Sequence, residues 1–68
     1  MYKWIKARGR RWVYAIPTRG GLWYHSARAL IIQCEDGFYW KIYGEDLYGV
    51  RPSKRRAMWE IRGILRGL

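Results

Sequence analysis

One histidine, one cysteine, one phenylalanine, two prolines and five acidic residues are what this 68-residue chain has least of. A lone thiol, Cys34, excludes an intramolecular disulfide and any zinc site built on cysteines. His25 has no second histidine, the two aspartates (Asp36 and Asp46) fall in turns, and no serine or cysteine has a base at recognisable spacing. That inventory is too poor for acid–base, nucleophilic or metal catalysis, so a non-enzymatic protein with no cofactor, no metal and no catalytic residues is expected. Glu35, Asp36, Glu45 and Asp46 read as solvent-facing turn residues. No apolar run approaches the ~18 residues of a membrane span. The start, Met1-Tyr2-Lys3-Trp4, lacks the form of a signal peptide, which makes the cytoplasm the expected compartment. The length leaves no room for a Rossmann unit, a barrel or two domains, and residues 1–68 are read as one small basic domain.

What the chain does have is positive charge and aromatic rings. Fourteen Lys/Arg against five Asp/Glu give a net charge of +9, while half the residues are apolar and five are Trp and six Tyr. So many rings exclude a disordered basic tail. The charge is lopsided: Lys3, Lys6, Arg8, Arg10, Arg11, Arg19 and Arg28 occur in residues 1–34 without a single acid. Arginine also outnumbers lysine, as forked contacts to phosphate, carboxylate or a base edge favour. A solvated basic surface is the plain alternative; an anionic partner accounts for the pattern better.

Tyr2–Ile16 reads as a β-hairpin, with Gly9 supplying the positive φ of the turn and Pro17 ending the second strand. Thr18-Arg19-Gly20-Gly21 reads as a loop, and Leu22–His25 as strand-like. Residues 26–34 admit two readings: a short helix capped by Ser26, or a buried strand from about Ala29, which Leu30-Ile31-Ile32 favours. Asp36-Gly37 between apolar runs predicts a type I′ turn, pairing Glu35 with Phe38, Gln33 with Trp40 and Ile31 with Ile42. Phe38, Trp40, Ile42 and Ile31 then form a core layer. Tyr39, Lys41 and Tyr43 share the other face with Leu30, Ile32 and Cys34. Neither face is polar, which predicts a mid-sheet hairpin covered on both sides, with Cys34 a small core residue. Leu47–Val50 makes a last strand.

Pro52 blocks helix before it, and Ser53 is placed to cap the helix that follows. Ala57, Met58, Ile61, Ile64, Leu65 and Leu68 recur at helical spacing as the core face. Gly63 and Gly67 predict a fraying last turn or a close backbone approach. A second stripe, Arg55, Trp59, Arg62 and Arg66, falls within roughly 60° on the helical wheel. Three arginines around a Trp suit phosphate contacts with stacking on a base or sugar, or else arginine stems laid over a core-edge ring. Arg8, Arg10 and Arg11 at the hairpin tip, with Arg19 in the next loop, could follow a phosphate backbone or form an unstructured charged turn. Lys41 between Tyr39 and Tyr43 fits a stacking platform or ordinary sheet packing.

The segment Gly37-Phe38-Tyr39-Trp40-Lys41-Ile42, followed by Ser53-Lys54-Arg55-Arg56-Ala57 opening an amphipathic helix, resembles the three-stranded-sheet-plus-helix domains related to AP2. These include the arm-type DNA-binding domains of phage integrases, and the likeness covers roughly residues 36–62. It implies a sheet face docked in the major groove of DNA and a helix supporting it from behind. Size and composition also look like those of short phage and mobile-element proteins.

The expected fold is α+β: an antiparallel sheet of four or five strands with one C-terminal helix packed on it. The expected function is nucleic-acid binding, duplex DNA before RNA, through Arg8, Arg10, Arg11, Arg19, Lys41, Arg55, Trp59, Arg62 and Arg66. The competing expectation is a small phage-type effector that blocks a host protein through an acidic surface, since Trp and Arg also dominate protein interfaces. Attachment to an anionic membrane is disfavoured, because the helix lacks Lys-rich flanks beside its apolar face.

Overall fold

A computed structural model describes residues 1–18 and 24–67, with the side chains of Tyr24 and His25 left aside. The expected loop around Arg19–Gly21, and Leu68, lie outside the described residues. Five strands run in chain order: β1 (Lys3–Lys6), β2 (Arg11–Pro17), β3 (Tyr24–Cys34), β4 (Gly37–Ile42) and β5 (Leu47–Arg51). They form one antiparallel meander in the order β1-β2-β3-β4-β5, and the helix α1 (Lys54–Gly67) packs on one of its faces. The fold is thus the α+β arrangement that the sequence predicts.

Alternation at period two sorts the side chains. Ala29 and Ile31 of β3 and Trp40 and Ile42 of β4 are buried against Ala57 and Ile61 of α1, with Met58, Ile64 and Leu65 packed around them. Ser53 caps α1 as predicted: its hydroxyl accepts from the Arg56 amide at 3.2 Å, and its carbonyl accepts from Ala57 at 3.1 Å. Gly49 lets the Trp40 ring lie on β5, since a Cβ there would sit 2.9 Å from three atoms of the indole. The expected backbone approach at Gly63 and Gly67 does not occur, because a Cβ at either position meets nothing within 4 Å, and α1 continues through Gly67.

Four expectations need correction. Residues 26–34 form no helix, and the strand begins before Ala29: β3 starts at Tyr24 and passes through Ser26 at φ 56°. That kink accompanies the register shift between Tyr14 and Ile16, so Ser26 relieves a strand irregularity rather than capping a helix. The β3–β4 turn is not type I′, because Asp36 has no positive φ. Cys34 pairs with Gly37, Gln33 with Phe38 and Ile31 with Trp40, so Glu35-Asp36 is the connection. The slip from the expected register is two residues, an even number, so every side chain keeps its face. The hairpin does sit mid-sheet, but α1 covers only one face; no described helix lies over the other, although Val13 and Ala15 of β2 are buried on it. Cys34 is accordingly exposed rather than core, because it ends β3 beside the turn on that uncovered face.

Candidate functional site

The helix does not cover its side of the sheet evenly. It packs on β3, β4 and β5 and makes no close backbone approach to β1 or β2. The β1–β2 hairpin therefore forms a shelf beside the helix. In β1, Trp4 and Lys6 alternate onto it, following Tyr2; in β2, Trp12 and Tyr14 lie opposite Lys6 and Trp4. These four rings are half-buried. Tyr2 stacks on Tyr14 at 5.5 Å between centroids, Trp4 tilts against Tyr14 at 5.2 Å, and Arg28 lies 5.8 Å from the centre of the Tyr2 ring. Lys6 and Lys54 both converge on Trp12, with ammonium-to-centroid distances of 5.0 Å and 4.5 Å. Contacts of this kind hold a cation by the ring's quadrupole and stabilise by about 0.5–1 kcal/mol at exposed sites.

The opposing bank is the helix. Trp4, Lys54, Arg55, Met58 and Arg62 are among the residues lining a cavity of about 580 Å³. Tyr2, Tyr14, Arg28, Arg62, Leu65 and Arg66 line a second of about 310 Å³. Arg62 belongs to both, so they form one groove along the helix, and no acidic residue lines either part. Trp59 stands on the crest, 75% exposed, and among the described residues it stacks on no ring and carries no cation. The other flank of the helix differs. It holds Glu60, the helix's one acid, in an ion pair with Arg51 of β5.

The predicted site residues are thus only partly brought together. Arg55, Trp59, Arg62 and Arg66 share the helix crest and its groove, all exposed. Arg8 and Arg10 are exposed on the hairpin tip, which is held in place rather than loose. Gly9 takes φ 67°, Lys6 Nζ donates to the carbonyls of Ala7 and Gly9, and the Arg10 carbonyl accepts from Gln33 at 2.8 Å. The acidic turn at Glu35-Asp36 lies at that same end of the sheet. Arg11 and Lys41, each next to residues that face the helix, point to the uncovered face, away from the stripe. Arg19 lies outside the described residues. Arg28 and Lys54, with the rings of Tyr2, Trp4 and Tyr14, are the groove residues that sequence reasoning missed, and Lys6 and Trp12 adjoin them through Lys54. Their signal was the alternation of Tyr2, Trp4 and Lys6 across from Trp12 and Tyr14.

Charge follows the same division. Residues 1–18 hold five basic residues and no acid, and α1 holds five basic residues and one acid. Residues 24–51 hold Arg28, Lys41 and Arg51 against four acids. The positive field is therefore concentrated on the elements that form the two banks of the groove. Among the described residues no group of three or more His, Cys, Asp or Glu is arranged to hold a metal ion, and no helix is long and apolar enough to cross a membrane. No protein-family model, curated protein or solved structure matches the chain, so the reading of this groove rests on its own residues.

Proposed function

We propose that the protein is a non-enzymatic nucleic-acid-binding protein that engages its ligand along the α1 crest and the groove between α1 and the β1–β2 shelf. The observation that carries this reading is the coincidence of rings with one sign of charge: four half-buried aromatics and the exposed Trp59, bordered by Lys6, Arg28, Lys54, Arg55, Arg62 and Arg66, with no acid in the groove lining. Phosphates would be held by Arg55, Arg62 and Arg66 along the helix, and Arg8 and Arg10 extend the surface past the hairpin tip. Duplex DNA can lie on this crest and tip by its backbone alone. Arg11 and Lys41, on the opposite face, fall outside such a contact.

Binding through phosphates displaces condensed counterions, so the logarithm of affinity should fall linearly with the logarithm of salt, by about 0.7–0.9 per phosphate contacted. Titration of labelled nucleic acid by fluorescence anisotropy at several salt concentrations measures this slope, and Arg62→Ala should make it shallower by about one. Absence of binding to any nucleic acid at about 0.15 M salt defeats the proposal. It would promote a phage-type effector that blocks a host protein through an acidic surface. The exposed Trp59 among arginines, with no ring or cation against it among the described residues, is the feature that favours this second reading.

A further inference from the structure

Resting on the nucleic-acid reading, we infer that the groove is built for unpaired nucleotides, a short single strand of DNA or RNA, rather than for a duplex. The relief of the surface decides between them. An α-helix with its side chains is about 10 Å across, so α1 stands as a step beside the β1–β2 shelf, and the rings of Tyr2, Trp4, Trp12 and Tyr14 lie at the foot of that step. A duplex keeps its base faces inside the stack and offers only phosphates and groove edges outward. Resting on the helix crest, it would leave the aromatic shelf unused. A single strand is narrower and can turn its bases inward onto rings while its phosphates meet the cations on either bank.

Trp59 points the same way. A Trp that is 75% exposed and, among the described residues, has no ring or cation partner leaves apolar surface in water that a stacked base would cover. Arg55, Arg62 and Arg66 beside it supply the backbone contacts such a partner would need. Lys54, over the Trp12 ring and lining the groove with Arg55 and Arg62 and no acid, adds to the like charges that an anion between the banks would relieve. Rings at the base and cations at both edges are what sequence-tolerant single-strand binding requires.

The test compares three fluorescein-labelled ligands of about twelve units, oligo-dT, oligo-U and a mixed-sequence duplex, by anisotropy with the full chain at about 0.15 M salt. Either single strand should bind at least about tenfold more tightly than the duplex, and the better of the two tells whether DNA or RNA is the natural source. Trp59→Ala removes an exposed side chain and should leave the thermal melt unchanged. It should weaken single-strand binding by about 5- to 100-fold with an unchanged salt slope, because stacking releases no ions. Duplex binding that is equal or tighter overturns the inference and leaves the nucleic-acid reading standing, as does a Trp59→Ala variant that binds single strands like the wild type. Failure of all three ligands overturns both.

Discussion

Gly37 carries two constraints at once. Its φ is 142°, in a region that side chains resist, and a Cβ built there would lie 2.7 Å from the Arg51 carbonyl oxygen of β5. The missing side chain lets the start of β4 approach the end of β5 closely enough for Phe38 to pair with Arg51. Gly37→Val should therefore cost about 2 kcal/mol or more, a fall of about 10 °C in Tm by circular dichroism. Gly9 is a useful contrast, since its φ of 67° is the only demand there and nothing lies within 4 Å. Gly9→Asn, a residue that tolerates left-handed backbone, should shift Tm by no more than about 2 °C. Equal losses at the two positions would show that the close approach to β5 contributes nothing. The expected destabilisation at Gly37 comes from its backbone angle together with its neighbour in β5, and not from a type I′ turn.

Among the elements, α1 combines a cap, a core face and a crest, and Gly63 serves none of them. It is exposed in the helix interior, and a Cβ there meets nothing within 4 Å. Gly63→Ala should stabilise by about 1 kcal/mol, raising Tm by about 5 °C, through reduced backbone entropy of the unfolded chain. Oligonucleotide affinity should be unchanged, because Gly63 lies on the β5 flank and not in the groove. A variant that melts like the wild type but binds differently would mean that the β5 flank contacts the ligand. The β1–β2 hairpin has the opposite character. Its backbone is not covered by α1, so its rings meet the helix only through side chains. Lys6 ties this hairpin together, bonding the loop carbonyls and lying over Trp12.

Across the whole molecule, like charge is gathered on β1, β2 and α1, and the one ion pair among the described residues is Arg51–Glu60 on the far flank. Net charge of +9 on 68 residues should make the folded state repel itself at low ionic strength. Tm should consequently rise by several degrees between about 0.01 M and 0.2 M sodium chloride, as the Debye length shrinks from about 30 Å to under 10 Å. A protein held by its ion pairs would show the reverse trend, and a falling Tm would mean that the charge gathered on β1, β2 and α1 is not felt by the fold. The uncovered sheet face should be largely indifferent to this screening. It exposes Tyr48 and Val50, and its cations Lys3, Arg11 and Lys41 are spread over three strands.

Much of this was readable along the chain, and for local reasons. Ser53 after Pro52 set the helix start, since capping needs only neighbours within one turn. Alternation in β3 and β4 grouped Ile31, Trp40 and Ile42 on one face, and that grouping survived a turn assigned two residues out of register. The stripe of Arg55, Trp59, Arg62 and Arg66 follows from helical period alone. Which sheet face the helix would cover was not readable, because both faces carry apolar side chains and a period of two distinguishes them without ranking them. Coverage depends on where α1 lands after β5, and it lands on β3, β4 and β5. That placement exposes Cys34, turns Arg11 and Lys41 away from the stripe, brings Tyr2, Trp4 and Tyr14 beside Arg62 from the opposite end of the chain, and sets Trp12 under Lys54. Sequence by itself determined the periodic faces and the charge; only packing across some fifty residues of intervening chain decided that rings and cations share a groove, because such contacts are set by burial in the assembled sheet and not by any local preference.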